Sequence, residues 1–431
     1  MNLPEHFLLG AATAAHQTEG NNRNSDCWAL ENIEHTDYLE KSGDAVDHYN
    51  RYEEDIRLLK RAGLNAYRFS IEWARIEPEE GKFDDREIEH YRRVIRFCRD
   101  NGVEPVVTLH HFSSPVWLIR KGGWEAETTP DDFARYAEYV MTKLGSDLSY
   151  VCTINEANMG LQIAAIAKRY MKEMLRVGKK KKQDADGKVQ VGMNLETMLK
   201  NMALAGKEKT EAVGVKDPKV FQSMRTKNGD ALIMKAHMKA RDAIRRVSPH
   251  VKVGLTLSLH DVQSVAGGEK QAEKIWNDEF THYLEYIKDD DFLGVQNYTR
   301  TLVARSGDIG VPEGAETTQM SYEFYPEALG HVIERVAKDF RKDILVTENG
   351  IATDDDRERC EFIRRAMLSV EKCLDKGLPV RGYFHWSLLD NFEWQKGFYM
   401  HFGLIAVDRS NMSRHPKESL ALLGSYSKER I

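Results

Sequence analysis

The amino-acid sequence predicts an α/β protein built as a single (β/α)8 TIM barrel. Eight short runs rich in β-branched and aromatic residues recur along the chain, and most are separated by stretches with helical spacing of apolar residues. Many of these runs end in polar or aromatic residues. A length of 431 residues with 41% hydrophobic and 30% charged residues is typical of a globular protein with a large core. Strands that alternate with helices are typical of a parallel barrel.

The predicted strands carry unusual side chains where they end. The eight strands span residues 7–13, 64–70, 104–111, 149–156, 252–259, 291–298, 343–350 and 380–390. In a barrel, the carboxyl ends of all strands open onto one face, where catalytic groups lie. One such end would be an ordinary strand-to-loop residue, but six together favour an active site: Arg68, His111, Asn155 with Glu156, Asn297 with Tyr298, Glu348 with Asn349, and Trp386.

One segment differs from the rest of the predicted single domain, which spans residues 1–431. Residues 165–229, an extended insertion after strand 4, hold 13 lysines and 3 arginines against 7 acidic residues, together with six of the 15 methionines. An amphipathic helix is predicted where Leu195, Met198, Leu199 and Met202 share one face, and residues 179–187 are predicted to form an exposed turn. A lid or a docking patch is one interpretation, and a solvated surface insertion is the favoured one.

Charge and cysteine content exclude several classes of protein. The formal net charge of -6 argues against general attraction to nucleic acid or to an anionic membrane. No run of 18 apolar residues occurs, so a transmembrane helix is not expected. Glu5 and His6 stand where a signal peptide carries basic residues, and the five cysteines never form a Cys-x-x-Cys motif. We expect buried free thiols and a cytoplasmic protein; the oligomeric state stays open.

Two glutamates have the setting that glycoside hydrolysis requires. Glu156 lies in TINEAN and Glu348 in VTENG, each at the end of an apolar strand. One carboxyl group can protonate the leaving oxygen while the other meets the oxocarbenium-like carbon. Carboxyl groups about 5 to 5.5 Å apart would give retention of configuration, and a wider separation would give inversion.

Six motifs together resemble glycoside hydrolase family 1, the β-glucosidase family. The resemblance covers nearly the whole chain except 165–229, and it rests on FLLGAATAAHQTEGNN (7–22), YRFSIEWARIEP (67–78), TLHHFSSPVWL (108–118), TINEAN (153–158), TENGIA (347–352) and GYFHWSLLDNFEWQKGF (382–398). It implies a retaining, exo-acting β-glycosidase that acts on a small-molecule β-glycoside and needs no metal or organic cofactor.

The resemblance also implies a role for individual residues. Glu348 would be the nucleophile and Glu156 the general acid/base, with Arg68 and Tyr298 orienting Glu348. Asn155 would hydrogen-bond the sugar 2-hydroxyl. The remaining sugar contacts would be Gln17, His111, Trp386, Glu393 and Trp394.

The sequence departs from the family pattern at Ala157, where a proline is usual, and at Phe112, where a tryptophan is usual. Relatives that act on 6-phosphorylated sugars usually replace the pair Glu393–Trp394 and carry a phosphate-binding lysine nearby. The resemblance therefore implies unphosphorylated β-glucosides as substrates, because Glu393 is present and 397–403 holds no lysine, with β-galactosides and β-fucosides as further substrates. A 6-phospho-β-glycosidase and a transglycosidase are alternatives within the enzymes. A non-catalytic sugar-binding or interaction protein is the alternative of another class, and the presence of both glutamates argues against it. No zinc-type spacing surrounds His110 and His111, so a metal site is not expected there.

Overall fold

Eight parallel strands close into a barrel. The computed structural model describes residues 3–177, 192–194, 197, 200–201 and 204–427. The barrel strands are β1 (Leu8–Ala12), β2 (Ala66–Ser70), β3 (Glu104–His110), β4 (Tyr150–Ile154), β5 (Lys252–Ser258), β6 (Phe292–Gln296), β7 (Asp343–Asn349) and β8 (Val380–Trp386). Each pairs in parallel with the next, and β8 pairs with β1. Every strand lies within its predicted range, so the predicted (β/α)8 fold is confirmed.

Helices surround the barrel and join its strands. The helix Asp85–Asp100 shows why they form: the Asp84 side chain accepts a hydrogen bond from the Arg86 N–H, and the residues that it buries recur at helical spacing. The other helices of more than one turn are Asp26–Glu31, His48–Ala62, Thr129–Leu144, Met159–Val177, Ala205–Val213, Lys227–Val247, Glu269–Glu279, Ala328–Asp339, Asp356–Asp375 and Glu418–Ser425. Single-turn helices span Ala15–Thr18, Trp73–Ile76, Val116–Arg120 and Leu284–Ile287.

Small sheets complete the fold outside the barrel. Asp261–Ser264 and Arg300–Ala304 pair in parallel, and Gly307–Asp308 extends this sheet. Ile405–Asp408 and Ser413–Pro416 form an antiparallel pair after β8.

The core has two layers because successive side chains of a strand point to opposite faces. The inner cluster includes Leu8, Ala66, Val106, Cys152, Phe292, Leu345 and Phe384. The outer cluster, which also holds the buried faces of the helices, includes Leu9, Tyr67, Val107, Val151, Val253, Leu293, Val346 and Tyr383. The same period places Arg68, Gln296 and Trp386 on the inner face of their strands, toward the barrel mouth.

Parts of the 165–229 insertion fall outside the described residues. These include the predicted amphipathic face at 195, 198, 199 and 202 and the predicted turn at 179–187. In the described helix Ala205–Val213, Lys209 Nζ forms an ion pair with Asp37 Oδ2 at 2.9 Å, which joins this helix to the loop at 33–38. Among the residues that the structure describes, no helix combines the length and apolar character needed to cross a bilayer. All five cysteines are buried free thiols, as predicted.

Candidate active site

Glu348 is surrounded by hydrogen-bond donors at the carboxyl end of β7. The pairing of β7 with β6 shifts register between Val346 and Glu348, which changes the direction in which the Glu348 side chain leaves the strand. Arg68 Nη1 donates to Glu348 Oε1 at 2.6 Å, and the Tyr298 hydroxyl donates to Oε2 at 2.6 Å. Gln296 Nε2 also donates to Oε1, at 2.9 Å. Both carboxylate oxygens therefore have partners from the protein.

Two opposing effects act on the pKa of Glu348. Burial raises it above the ordinary glutamate value, while the Arg68 guanidinium and the Tyr298 hydroxyl lower it. Arg68 is itself fully buried, and an unpaired buried guanidinium would be very costly. The ion pair with Glu348 therefore favours a charged carboxylate at this position.

Glu156 has the opposite environment. It follows β4 with a left-handed backbone (φ 45°), a strained conformation for a residue with a side chain. Its N–H donates to Thr256 Oγ1 at 2.9 Å, which holds the backbone in place. The side-chain atom Oε2 is buried and has no hydrogen-bond partner among the described residues. Burial, and next the negative charge of Glu348, raise the pKa of Glu156 well above its ordinary value. Glu156 is therefore the member of the pair that holds a proton.

Asn155 connects the Glu348 environment to His111. Its Oδ1 accepts from Arg68 Nη2 at 2.6 Å and from Gln296 Nε2 at 2.7 Å. Its Nδ2 lies 3.2 Å from His111 Nε2. Because an amide nitrogen donates, His111 Nε2 accepts and the proton of the neutral ring sits on Nδ1. Burial and the Arg68 charge hold the pKa of His111 well below its ordinary value, so this ring is neutral.

The remaining predicted sugar contacts form one wall of the same mouth. Gln17 Nε2 donates to the Phe392 carbonyl at 2.8 Å and lies 3.3 Å from Glu393 Oε2. Burial raises the pKa of Glu393 to about 8. The rings of Trp386 and Trp394 stack against the His111 ring, with centroids 5.5 and 6.2 Å away.

Several of these side chains carry polar atoms without a hydrogen-bond partner among the described residues. Gln17 Oε1, His111 Nδ1 and Glu156 Oε2 are buried and have no hydrogen-bond partner in the described part of the chain. Buried polar atoms are normally paired, because each unpaired one costs about 1 to 3 kcal/mol. An acceptor, a donor and a protonatable oxygen beside two indole rings suit a ligand that carries several hydroxyl groups on apolar C–H faces.

Seven of the nine predicted strand-end residues fall into two groups. Arg68, His111, Asn155, Tyr298 and Glu348 form one hydrogen-bonded network. Asn297 and Asn349 instead brace the loops: Asn297 donates to the Leu259 and Thr299 carbonyls, and Asn349 donates to the Asn297 carbonyl.

Gln296 is a site residue that sequence reasoning missed. It donates to both Asn155 and Glu348. The available signal was its position four residues after Phe292 on the predicted strand, which puts both on the inner face.

One group of side chains has a metal-ligand arrangement within the described ranges, namely Glu34, His35 and Glu208. The His35 ring Nδ1 lies 2.6 Å from Glu208 Oε1, and the same carboxylate accepts the His35 backbone N–H. The hydrogen bond to Glu208 raises the pKa of His35, which favours a protonated ring that cannot bind a metal through this nitrogen. The group is therefore best explained as an ion pair between the insertion and the loop at 33–38.

Comparisons with known proteins find relatives that cover nearly the whole chain. The family model described as Glycosyl hydrolase family 1 matches residues 1–185 and 288–429. A crystal structure of a beta-glycosidase is 43% identical, covers 99% of this chain and 97% of its own, and superposes with a TM-score of 0.86. Beta-glucosidase A of Thermotoga maritima is 28% identical over 96% of this chain and 95% of its own length. A 6-phospho-beta-galactosidase of Lacticaseibacillus casei is also 28% identical, over 100% of this chain and 98% of its own.

The match covers more than half of the chain and includes both Glu156 and Glu348. It thereby confirms the resemblance drawn from the six sequence motifs. The chain belongs to glycosyl hydrolase family 1 and is a glycoside hydrolase.

Proposed function

We propose that the chain is a retaining, exo-acting β-glycosidase that hydrolyses unphosphorylated β-glucosides, with β-galactosides and β-fucosides as further substrates. The observation that carries the proposal is the contrast between two buried carboxyl groups. Glu348 receives three donors, whereas Glu156 Oε2 receives none from the described residues. We further propose that residues 1–431 form one catalytic domain in the cytoplasm, a compartment that suits five free thiols.

In the first step, the ionised Glu348 attacks the anomeric carbon. The bond from that carbon to the aglycone oxygen breaks, and Glu156 gives its proton to the leaving oxygen. The product is a glycosyl ester of Glu348 with Glu156 as carboxylate. The hydrogen bonds from Arg68 and Tyr298 position Glu348 for this attack.

In the second step, Glu156 takes a proton from water, whose oxygen attacks the same carbon and releases Glu348. Esterification has removed the negative charge of Glu348, which after burial is the largest cause that raises the pKa of Glu156. The Glu156 pKa therefore falls when the residue must act as a base. The cycle ends with both groups in their starting protonation states and with no cofactor consumed.

Sugar binding uses the side chains that surround His111 and Glu393. Trp386 and Trp394 present apolar surface to the C–H faces of the ring, and Gln17, His111 and Glu393 bind hydroxyls. Asn155 contacts the 2-hydroxyl, and its own hydrogen bonds to Arg68 and Gln296 fix its orientation.

A 6-phosphorylated sugar is a second candidate substrate, because a 6-phospho-beta-galactosidase is among the relatives. Two features disfavour it. The described hydrogen-bond partners of Glu393 are Gln17 and the Gly192 N–H, and neither is a cation. A phosphate in a buried pocket needs positive partners, and the acidic side chain of Glu393 supplies no positive charge.

The test is hydrolysis of nitrophenyl β-glucoside, β-galactoside, β-fucoside and 6-phospho-β-glucoside, with the anomer of the first product followed by NMR. We expect retained configuration and preference for the unphosphorylated sugars. In Glu348→Gln, turnover should fall by at least about 10,000-fold because the nucleophile is lost.

The matched control is Glu279→Gln, a buried carboxyl that pairs with His260. It should keep the wild-type anomeric outcome and sugar preference. An inverted first product would contradict the retaining mechanism, and preference for the phosphorylated sugar would replace the proposed substrate. Turnover in Glu348→Gln equal to the wild type would remove Glu348 from the reaction.

A further inference from the structure

Part of the insertion after β4 reaches the predicted sugar pocket. The described residues 192–194 run along the loop that follows β8. The Gln395 N–H donates to the Gly192 carbonyl at 3.0 Å, and the Asn194 N–H donates to Gln395 Oε1 at 2.6 Å. Asn194 Nδ2 also donates to the Gln395 carbonyl at 2.7 Å. Residues 192–194 lie outside the two ranges that the family model matches, so their side of this contact belongs to the divergent part of the chain.

Gly192 contacts the carboxylate of Glu393 directly. The Gly192 N–H donates to Glu393 Oε1 at 2.9 Å, and Gln17 Nε2 approaches Oε2 at 3.3 Å. Each of these two oxygens has further hydrogen-bonding capacity, which remains for the hydroxyls of a sugar. With one donor on each oxygen, the plane of the carboxylate is fixed before a sugar binds.

No side chain fits at position 192. A Cβ atom on Gly192 would lie 2.3 Å from the carbonyl oxygen of Glu393 and 2.8 Å from its Cγ. The nearest atom belongs to the backbone, so it cannot turn aside as a flexible side chain would. The requirement is a close approach of two backbones, which glycine permits.

The outer side of this segment is also held. Asn194 Nδ2 donates to the Asp37 carbonyl at 3.1 Å, and Lys209 of the same insertion pairs with the Asp37 carboxylate at 2.9 Å. The described residues of the insertion therefore contact the Glu393 loop on one side and the loop at 33–38 on the other.

We propose that Gly192 is a positioning residue for the sugar pocket: its N–H and its close fit orient the Glu393 carboxylate, so that the insertion sets which arrangement of sugar hydroxyls is accepted. This inference rests on the proposed function, in which Glu393 binds hydroxyls. It assigns to the insertion a part in substrate specificity.

The test compares two glycine-to-alanine variants of the same insertion. Gly192→Ala forces the two backbones apart. Gly206→Ala is the matched control, because a Cβ at position 206 meets nothing within 4 Å. The kcat and KM of wild type and both variants are measured on nitrophenyl β-glucoside, β-galactoside and β-fucoside, and folding is followed by thermal denaturation.

We expect Gly192→Ala to raise KM by about tenfold, the effect of losing one buried hydrogen bond. The rise should differ among the three sugars, because they differ in the hydroxyls presented to the pocket, and kcat should change less than KM. Gly206→Ala should leave the ratios of KM among the three sugars at the wild-type values.

A double-mutant cycle separates positioning from a structural role. In a Glu393→Ala background, Gly192→Ala should have little further effect on KM, because the carboxylate that Gly192 orients is gone. Additive effects in the cycle, or an equal loss of kcat on all three sugars with unchanged KM, would overturn the inference and leave Gly192 a purely structural residue.

The outcome also distinguishes this inference from the proposed function. If Gly192→Ala kept the wild-type turnover and the wild-type ratios of KM among the three sugars, only the role of Gly192 would be overturned. A wild type that turns over none of the three sugars would overturn the proposed function, and the inference with it.

Discussion

The carboxyl ends of β4 and β7 each present a buried glutamate, and their surroundings differ in one respect. At the end of β7, three donors contact the two oxygens of Glu348. At the end of β4, the Glu156 Oε2 atom has no such partner in the described part of the chain. Two residues of the same type and similar burial are therefore prepared for opposite charge states by the donors around them.

The barrel therefore buries both residues, and donors from other strands of the barrel distinguish them. Arg68 comes from β2, and Gln296 is the last residue of β6. Each is placed at the β7 end by the closed order of the strands. Glu156, the proposed acid/base group, instead has no hydrogen-bond partner on Oε2 among the described residues, and its pKa depends on the charge of Glu348, which changes during the proposed reaction.

The largest expected effect separates the two glutamates by leaving group. In Glu156→Gln, no proton reaches the departing oxygen, so hydrolysis of an alkyl β-glucoside should fall by about 1,000-fold. A dinitrophenyl β-glucoside should lose far less in its first step, because that leaving group departs as a stable anion. The measurement is the burst and steady-state rates on both substrates.

Glu348→Gln is the control for this experiment, since loss of the nucleophile should affect both substrates alike. Equal losses on the two substrates in Glu156→Gln would contradict the assignment of Glu156 as the acid.

The fold was predictable because its signals are local. Each barrel strand is a short apolar run with a polar or aromatic end. Such a run can be recognised from its own residues, without knowledge of its partners in the fold. The range 104–111, for example, contains the observed strand Glu104–His110. The strand ends could also be predicted, because parallel strands in a barrel must open onto one face.

The contacts at the site were less predictable, because they join residues distant in sequence. Gln296 and Asn297 are adjacent at the same strand end, yet the Gln296 side chain donates to the Glu348 carboxylate, while the Asn297 side chain binds loop carbonyls. The register shift in β7 determines where the Glu348 oxygens lie, and no residue type in the sequence predicts this shift. Gly192 and Glu393 are 201 positions apart, and their contact depends on the path of the insertion.

An intermediate effect tests whether the donors keep Glu348 ionised. Tyr298→Phe removes the donor to Glu348 Oε2, so the pKa of Glu348 should rise. The reactive form has Glu348 ionised. At a given acidic pH less of it is present in the variant, and the acid limb of the kcat/KM profile moves to higher pH. We expect a loss of about 10- to 100-fold at the wild-type optimum.

Tyr322→Phe is the matched control for that profile. The Tyr322 ring centroid lies 6.4 Å from that of Tyr298, and its buried hydroxyl has no partner among the described residues. Its removal should leave the acid limb in place. An unshifted acid limb in Tyr298→Phe would show that the hydroxyl does not control the ionisation of Glu348.

The smallest effect is expected from Gln296→Met, which keeps the side-chain length and removes the amide. Gln296 shares each acceptor that it contacts with Arg68, which donates to Glu348 Oε1 and to Asn155 Oδ1, each at 2.6 Å. Both acceptors therefore keep a charged donor. We expect kcat/KM to fall by about 3- to 10-fold, with a smaller shift of the acid limb than in Tyr298→Phe.

Gln162→Met is the control for this variant, since Gln162 is a buried glutamine that donates to the Ser258 carbonyl at 2.8 Å. It should leave the acid limb at the wild-type pH. If Gln296→Met lost as much activity as Tyr298→Phe, Arg68 would not compensate for the missing amide. The distinction between the two glutamates would then depend on the full set of donors rather than on the ion pair with Arg68.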